Sequence, residues 1–410
     1  MHCAELSTND GCHDGFGEGF QAGGMTGSKV FLGVLGLAIS LGFSPTSLQA
    51  ADGQCLVYVG TYTGGKSKGI YAYRMDSRSG SMTSLGLVAE SPSPSFLDID
   101  ARHHRLFAAN ELDKFQGKTA GSVTSFSIDT STGKLTELSV RSSGGGGPCH
   151  VLVDPAGRNV FVANYGGGSI AVLPVDRDGK LAEASDFVQD LGKGTDPGRQ
   201  EGPHAHCVVL DPAARFLFAC DLGLDKVFGY RFDAGKGSLK PTEPPFTLIQ
   251  PASGPRHVSF TPDSRHAYVL NEMSSTLAAF DYDAKSGTMK EIQTVTTMPP
   301  DFKGNNSTAE VVVHKSGKFV YASNRGANCL AVFAIDRASG KVKLVEHVPT
   351  QGKIPRNFAI DPTGNFLLAA NQDSDNVVVF NIDQATGRLK STGQVLEVPK
   401  PVCVSFLPVN

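Results

Sequence analysis

Phe358-Ala-Ile-Asp-Pro-Thr-Gly-Asn-Phe-Leu-Leu-Ala-Ala-Asn371 and, a few residues later, Val377-Val-Val-Phe-Asn-Ile-Asp-Gln-Ala-Thr-Gly387 are the stretches of sequence that decide the fold. Each contains an apolar run of strand length that leads into a turn, Asp-Pro-Thr-Gly in the first and Asp-Gln-Ala-Thr-Gly in the second. An aspartate can close such a turn through its side chain, and a glycine supplies the positive φ that other residues avoid. Together, the two stretches predict consecutive β-hairpins.

Both turns recur along the chain. The Asp-x-x-x-Gly turn, or a close variant, occurs at Asp76–Gly80, Asp129–Gly133, Asp176–Gly179, Asp233–Gly237, Asp283–Gly287, Asp336–Gly340 and Asp383–Gly387. The other pattern, two strands around a turn with a final Asn or Asp, occurs at Leu97–Asn110, His150–Asn164, Cys207–Asp221, Val258–Asn271, Val311–Asn324 and Phe358–Asn371. A period of about fifty residues with four short strands per unit is typical of propeller blades.

The two ends of the chain complete one further unit. Pro401–Pro408 matches only a first strand, whereas Cys55–Asp76 supplies later strands without a first one. Pairing the two ends in one blade leaves no open sheet edge. We therefore predict an all-β fold: a seven-bladed β-propeller with four antiparallel strands per blade, closed by pairing of the N- and C-terminal strands. The many glycines (47) and prolines (23) suit such short strands and tight turns.

The first fifty residues differ in pattern from the rest. Residues 1–24 are polar and glycine-rich, which indicates a disordered segment or an over-extended start. Residues 25–50 place a positive charge at Lys29 before an apolar run over Val30–Phe43 and end in small residues at Ala50. That order is typical of a secretory signal peptide. An uncleaved membrane anchor is the alternative, although the apolar run is short for a bilayer.

Residues 51–410 are therefore predicted to be the propeller domain of a periplasmic or secreted protein, with no membrane span in the mature chain. The formal net charge of -3 and the lack of a basic run give no indication of nucleic-acid binding. The six cysteines of this region are scattered and form no Cys-x-x-Cys pair, so they are expected to be small buried apolar groups. No metal and no cofactor are predicted.

Polar residues are concentrated at one rim of the predicted ring. Because a hairpin reverses direction, the first strand of each unit starts, and the second ends, at the same rim. Strand starts carry Cys149-His150, His206-Cys207, Arg256-His257, Glu310 and Arg356-Asn357. Strand ends carry Asn110-Glu111, Asn164-Tyr165, Asp221, Asn271-Glu272, Asn324-Arg325 and Asn371-Gln372. Since the first strands converge on the axis, these groups are expected to surround a concave mouth, the usual place for a ligand.

Four further segments of the chain are distinctive: Tyr58-Val-Gly-Thr-Tyr-Thr63, Gly202-Pro-His-Ala-His206, Gly254-Pro-Arg-His257 and Ser323-Asn-Arg-Gly326. They resemble the lactonase family of seven-bladed β-propellers, which includes propeller-type 6-phosphogluconolactonases and carboxymuconate-lactonising enzymes. The resemblance covers essentially all of residues 55–408. It implies cofactor-free hydrolysis of a sugar-acid lactone, a small and anionic substrate, at the polar mouth of the channel.

For this reaction, a carboxylate or imidazole would activate water while arginines stabilise the oxyanion and anchor the substrate. We expect Glu272 to be the general base, with His150 as its competitor and Arg256 as the catalytic cation. The residues expected to bind substrate are His204, His206, His257, Glu310, Arg325 and Arg199. Of these, Arg199 and His204 lie in or beside the Gly192–Gly202 insertion, which could cover the mouth as a partial lid.

Structural explanations compete with these roles. The repeated Asn is expected to form turns, and the charged residues of the rim could be ion pairs between blades. The histidines near the opposite turns are expected to be exposed: His103, His104, His266 and His314. The rival function is a non-catalytic exported propeller that binds a ligand or cell-surface partner. A third possibility is a metal-dependent lactonase with rim histidines as ligands.

Overall fold

A computed structural model describes residues 53–409, so the predicted signal peptide and the segment before it lie outside the described residues. The described part of the chain forms seven four-stranded antiparallel sheets and one short 3-10 turn at Gln372–Ser374. Within residues 53–409, no helix has the length and apolar character needed to cross a membrane. The predicted all-β fold with seven blades of four strands is confirmed.

The strands are numbered along the chain, and the innermost strand of each blade is named first. Blades 1 to 4 are β4 (Pro94–Asp100), β5 (Arg105–Asn110), β6 (Ser122–Ile128), β7 (Leu135–Ser142); β8 (Pro148–Val153), β9 (Asn159–Asn164), β10 (Ser169–Pro174), β11 (Asp186–Gln189); β12 (Ala205–Leu210), β13 (Phe216–Asp221), β14 (Lys226–Asp233), β15 (Ser238–Leu248); and β16 (Pro255–Phe260), β17 (His266–Asn271), β18 (Thr276–Asp283), β19 (Thr288–Thr296). Blades 5 to 7 are β20 (Thr308–Val313), β21 (Phe319–Asn324), β22 (Cys329–Ile335), β23 (Val342–Pro349); β24 (Pro355–Ile360), β25 (Phe366–Asn371), β26 (Asn376–Ile382), β27 (Leu389–Glu397); and β28 (Pro401–Val409), β1 (Gln54–Thr61), β2 (Gly69–Asp76), β3 (Met82–Glu90).

The ring closes through blade 7, which combines the two ends of the described chain. Strand β28 pairs with β1 in antiparallel register from Gln54↔Val409 to Thr61↔Pro401. The first strand of every blade contacts the first strands of both neighbouring blades, so these seven strands surround the axis. The predicted pairing of the terminal strands is therefore confirmed.

The hydrophobic core is divided into layers between adjacent blades. One cluster, for example, joins Tyr268 and Leu270 of blade 4 to Val320 and Phe333 of blade 5. All six cysteines of residues 53–409 are free and buried. Packing of blade against blade therefore supplies the core of the ring, and the described residues achieve it without disulfides.

The repeated Asp-x-x-x-Gly turns join the third and fourth strands and also connect neighbouring blades. In blade 5, Asp336 Oδ1 accepts hydrogen bonds from the N–H groups of Ala338 and Ser339. Gly340 has a φ of 67° and packs against the His266 ring of blade 4, where a Cβ would overlap the imidazole. Tyr268 of blade 4 donates its hydroxyl to the Gly340 carbonyl at 2.8 Å. Each such turn thus needs glycine for its conformation and for the close approach of the neighbouring blade.

Two histidines that were expected to be exposed are buried. Only 3 % of His266 and 1 % of His314 is accessible to solvent. His266 lies beneath the Gly340 turn, and His314 Nε2 lies 2.9 Å from the Gly364 carbonyl of the next blade. That part of the prediction was wrong because the turns of a neighbouring blade cover the strand ends. His103 and His104 are exposed, as predicted.

The repeated Asn at the end of the second strand fixes the chain at the rim. Asn164 Nδ2 donates to the Ser143 carbonyl at 3.0 Å, and Asn371 Nδ2 donates to the Thr350 carbonyl at 3.1 Å. Each accepting carbonyl belongs to the connection that enters the same blade. The repeated Asn therefore has a structural role, and it positions the residue that follows it at the mouth of the channel.

Blade 3 departs from this pattern because it has Asp221 in place of Asn. The Asp221 carboxyl is buried beside the carboxyl of Asp190, which follows β11. Burial and the nearby Asp221 carboxylate raise the pKa of Asp190. In blade 5, the hydroxyl of Thr297 donates to Asn324 Oδ1 at the corresponding place. A protonated Asp190 would substitute for that hydroxyl as a donor to Asp221.

Raising the pH from about 4 to about 8 is expected to destabilise the protein through Asp190, whose pKa is raised to about 8 in the folded chain. Because its folded-state pKa is raised, the folded chain retains a proton that the unfolded chain has lost. The free energy of unfolding then falls with rising pH by up to about 1.4 kcal/mol per pH unit. Asp190→Asn, which keeps a donor, should reduce that slope, and the exposed Asp178→Asn should not. Urea unfolding at several pH values measures this, and equal slopes for wild type and Asp190→Asn would contradict it.

Candidate active site

A β-bulge at the start of the first strand of every blade gives the rim of the channel its polar lining. In each of the seven blades, the register with the second strand shifts directly after the first residue. Such bulges re-aim side chains. The effect is evident in blade 4, where the consecutive residues Arg256 and His257 contact each other, Nη1 to Nε2, at 3.1 Å. Each blade can therefore direct two successive side chains to the axis.

Seven residues at the third position of the first strands form what we call the inner ring: Phe96, His150, Cys207, His257, Glu310, Asn357 and Cys403. Glu310 is held from two sides, because its Oε1 lies 2.8 Å from His257 Nδ1 and its Oε2 accepts from Asn357 Nδ2 at 2.6 Å. Phe96 stacks on His150 with ring centroids 4.0 Å apart. Burial raises the pKa of Glu310 to about 7, although Arg256 opposes the shift.

Seven residues that directly follow the second strands form what we call the outer ring, which lies at the mouth: Tyr62, Glu111, Tyr165, Leu222, Glu272, Arg325 and Gln372. Glu272 is its most strongly bonded member. The Glu272 N–H donates to the Gly254 carbonyl at 2.7 Å, which fixes the backbone just after β17. The side chain is 5 % exposed, so the carboxylate is almost fully surrounded by protein.

Three arginines hold the Glu272 carboxylate. Arg199 Nη2 lies 2.7 Å from Oε1, while Arg325 Nη2 and Arg256 Nε lie 2.7 and 3.1 Å from Oε2. Burial opposes ionisation, but Arg325, Arg256 and Arg199 outweigh it and lower the pKa of Glu272 to about 2. The carboxylate is thus ionised at all ordinary pH values and weakly basic. Its ion pairs connect the Gly192–Gly202 insertion, blade 4 and blade 5.

A second cluster lies elsewhere along the wall of the mouth. Tyr62 donates its hydroxyl to Glu111 Oε2 at 2.9 Å, and the Arg356 guanidinium lies over the Tyr62 ring at 5.4 Å. Arg356 forms no ion pair or hydrogen bond with any residue in the described range. Of the four arginines at the mouth, it is the one whose donors are all free for a ligand.

The two clusters enclose a pocket of about 310 Å³. Its lining consists of Glu111, Cys149, Tyr165, Arg199, His206, Glu272, Ser307, Arg325 and Arg356. Three arginines and two glutamates give this lining a positive formal balance, and Arg256 lies directly behind it. The arrangement suits a small anionic or hydroxyl-rich ligand, because guanidinium groups donate to carboxylate and phosphate in paired geometry.

The candidate residues from the sequence fall into three groups in the structure. Four line the pocket: Glu272, His206, Arg325 and Arg199. Arg256 supports Glu272 from behind the pocket wall, and the inner ring contains His150, His257 and Glu310. His204 lies behind the wall, stacked on Tyr165 with centroids 4.5 Å apart. The Gly192–Gly202 insertion does reach the mouth, through the contacts of Arg199 with Glu272 and Tyr165.

Sequence reasoning assigned no role to several lining residues. Glu111, Cys149 and Tyr165 were placed at the rim without one, and Arg356 was considered only as one of the rim arginines that suit an anion. Ser307, and Tyr62 beside the lining, were overlooked. Tyr62 follows β1 just as Glu272 follows β17, so counting β1 as the second strand of blade 7 would have identified it. Ser307 precedes β20 in an irregular segment that has no counterpart in the repeat.

A closed propeller with an arginine-rich pocket at the mouth of its channel is typical of propellers that bind small molecules. Comparison with known proteins identifies the family within this class. The family model described as "Lactonase, 7-bladed beta-propeller" matches residues 56–406, and the chain belongs to that family. The resemblance seen in the sequence is thereby confirmed.

Individual relatives and solved structures agree. The 6-phosphogluconolactonase of Bacillus subtilis (strain 168) is 37% identical over 350 residues, which is 85% of this chain and 97% of the relative. The periplasmic gluconolactonase of Pseudomonas aeruginosa superposes with a TM-score of 0.80 at 36% identity, covering 87% of this chain and 100% of that one. A protein described as a putative 6-phosphogluconolactonase of Bacteroides fragilis gives 0.81 at 36% identity, with 87% and 98% covered. These similarities support lactone hydrolysis as the activity of the chain.

Proposed function

We propose that the pocket hydrolyses an anionic sugar-acid lactone of the 6-phosphogluconolactone type. The observation that supports this most directly is Arg356, a cation at the mouth that lies over the Tyr62 ring and forms no ion pair or hydrogen bond within residues 53–409. Its donors are therefore available to a ligand anion, and a planar guanidinium fits phosphate or carboxylate. The substrate named for the Bacillus subtilis relative has such a group.

The reaction needs an oxyanion site, and the arginines of the Glu272 cluster can supply one. Arg199 and Arg325 both use Nη2 on Glu272, which leaves their Nη1 groups without partners in the described part of the chain. When the oxygen of water bonds to the lactone carbonyl carbon, the carbonyl oxygen becomes negative. Pre-oriented donors that stabilise this charge are commonly the largest contribution to such catalysis.

A proton acceptor must also contact the attacking water. His206 lines the pocket, and neither of its ring nitrogens has a partner among the described residues; Nδ1 is buried, so Nε2 is the nitrogen available to water in the pocket. Burial, and then Arg256, lower the pKa of His206 well below its ordinary value, so the imidazole is neutral and can accept a proton. In this proposal, His206 takes the proton from water and returns it to the ring oxygen as the carbon–oxygen bond of the lactone breaks. The product is the open-chain hydroxy acid.

We propose a different role for Glu272 than the general base expected from its position. With a pKa of about 2, its carboxylate has little tendency to take a proton from water near neutral pH. Its three ion pairs instead fix the guanidinium groups around the reacting carbonyl. His150 lies in the inner ring, outside the pocket lining, and so makes a weaker candidate for contact with water than His206.

We further propose that the enzyme acts in the periplasm or outside the cell. The order of residues 25–50 supports export, and the similar gluconolactonase of Pseudomonas aeruginosa is described as periplasmic. The rival function is an exported propeller that binds a ligand without turning it over. A lactone panel on the purified protein separates the two. A ring-opened product would support the enzyme, and saturable binding with unchanged lactone would support the rival.

Arg356→Met is expected to raise the KM for a phosphorylated lactone at least about tenfold, because the variant lacks the free cation that meets the anion. Arg356→Lys should recover part of that loss, since a point charge replaces a planar pair of donors. The KM for an uncharged lactone should change little. The matched control is Arg388→Met, which removes an exposed arginine paired with Glu346 outside the pocket. Steady-state kinetics on the two lactones measure this, and an equal rise in KM on both would contradict anion anchoring.

A further inference from the structure

Three side chains of the inner ring are arranged in a way that lactone hydrolysis does not use. His150, Cys207 and His257 occupy the same strand position in blades 2, 3 and 4, and one nitrogen or sulfur atom of each lies within 4.8 Å of the others. All three are at least nine-tenths buried, with 7, 2 and 3 % of their surface exposed. His150 Nε2 and Cys207 Sγ are 3.6 Å apart. Two ligands of one tetrahedral ion with bonds of about 2.0 and 2.3 Å would be roughly 3.5 Å apart.

The surroundings of the trio resemble the outer shell of a metal site. His257 Nδ1 lies 2.8 Å from Glu310 Oε1, so Nε2 carries the lone pair of that ring, and Arg256 Nη1 donates to it at 3.1 Å. A carboxylate on the far nitrogen is the usual device that orients a ligating imidazole. Asn357 holds Glu310 in turn, and Phe96 fixes the plane of the His150 ring by stacking. Nδ1 of His150 has no partner in the described residues, so its Nε2, near Cys207, is the nitrogen that is oriented.

We propose that His150, Cys207 and His257 form a binding site for a soft, thiophilic metal ion, with monovalent copper favoured. Two imidazoles and one thiolate are a ligand set that copper and zinc accept, and thiolate selects for the softer ion. Arg256 favours a monovalent over a divalent ion. Its Nη1 lies 3.1 Å from His257 Nε2, so the guanidinium must give up that hydrogen bond before a metal ion can bind the nitrogen. Cu(I) with one thiolate is neutral overall, whereas a divalent ion would add a net positive charge beside the guanidinium.

This site can be tested apart from the proposed function, although Arg256 contacts both His257 of the trio and Glu272 of the pocket. A metal-bound His150 has no lone pair for proton transfer, and the reacting groups proposed above lie in the pocket lining. Metal binding can be measured without any lactone, so failure of either proposal leaves the other standing. Cys207 also faces Cys220 directly across the strands, so its thiol must be reduced before metal is added.

The test is an anaerobic titration of the reduced protein, residues 51–410, with Cu(I) in competition with a chromophoric chelator. Wild type is expected to bind one equivalent, and Cys207→Ser to bind at least about 100-fold more weakly. Glu310→Gln should weaken binding about 10–100-fold through the orientation of His257. Cys149→Ser is the matched control, because it removes the neighbouring buried thiol, which lies outside the trio.

A second readout guards against a variant that fails to fold. The Cu(I)-loaded wild type should show a thiolate-to-copper charge-transfer band in the near ultraviolet, absent in Cys207→Ser and present in Cys149→Ser. His150→Gln, on a different strand, should weaken Cu(I) binding to a similar degree, and circular dichroism should show each variant folded. The proposal is overturned if reduced wild type binds Cu(I) no more tightly than Cys207→Ser. It is likewise overturned if Cys149→Ser, rather than Cys207→Ser, abolishes binding.

Discussion

Glu272→Gln is expected to lower kcat/KM for lactone hydrolysis by about 10²–10⁴-fold, a range typical of oxyanion and acid–base groups. The amide has the same shape but no charge, so three arginines lose the carboxylate that they share. Without the shared carboxylate, the three guanidinium groups would repel one another and move away from the positions in which they donate to the reacting carbonyl. The variant should also unfold at lower temperature, because removing one partner of a buried ion pair typically costs about 3–5 kcal/mol.

The measurement is steady-state kinetics on protein shown to be folded by circular dichroism. Glu346→Gln is the matched control, because it removes a glutamate paired with an arginine at the outer surface. Glu272→Asp distinguishes the positioning role from that of a base. A shortened carboxylate keeps the charge and should retain part of the activity, and the pH profile of kcat/KM should keep its shape. A folded Glu272→Gln protein with near-normal turnover would reject the assignment.

The fold could be predicted from sequence because each repeat contains, within a short stretch of chain, the turns and strands that form one blade. Each Asp-x-x-x-Gly turn fixes one hairpin, and seven such turns with one split unit determine both the blade number and the closure. The rim could be predicted as well, because hairpin direction places Glu272 and Arg256 at the same end of the ring. Both inferences depend only on order along the chain.

Contacts between blades could not be predicted in the same way. The three partners of Glu272 come from the insertion, from its own blade and from the next one, and their convergence depends on how closely adjacent blades approach. His266 and His314 were misjudged for the same reason, since the covering turns belong to other blades. A single repeat contains no information about the distance to its neighbours.

The pKa of Glu272 shows how strongly such contacts alter function. From the sequence, a glutamate after a strand end at a polar mouth is a reasonable general base. In the structure, three guanidinium groups within 3.1 Å lower its pKa to about 2. Burial and then Arg256 lower the pKa of His206, which stays neutral and without a partner, and it is the proton acceptor that we propose in place of Glu272. The charges of neighbouring blades thus determine which side chain can accept a proton, and residue type alone does not.

Deleting residues 401–410 is expected to prevent folding of the ring. Strand β28 pairs with β1 along the whole of that strand and buries Val402, Cys403, Val404 and Leu407. At about 1.5–3 kcal/mol for each of the valine and leucine side chains, the lost burial of these three alone amounts to about 4.5–9 kcal/mol. The total stability of a folded domain is typically about 5–15 kcal/mol. The truncated chain would also expose β1 as an unpaired edge, which promotes aggregation.

Thermal unfolding followed by circular dichroism measures the effect of this deletion, with size-exclusion chromatography to detect aggregates. A synthetic peptide of residues 401–410, added during refolding, should pair with β1 and restore a cooperative transition, as a strand added to a free sheet edge does. A peptide of the same composition in scrambled order is the control, because it lacks the alternation that places Val402 and Val404 in the core. A truncated protein with an unchanged melting temperature would show that blade 7 does not need β28, and that the contacts between the remaining first strands suffice to hold the ring.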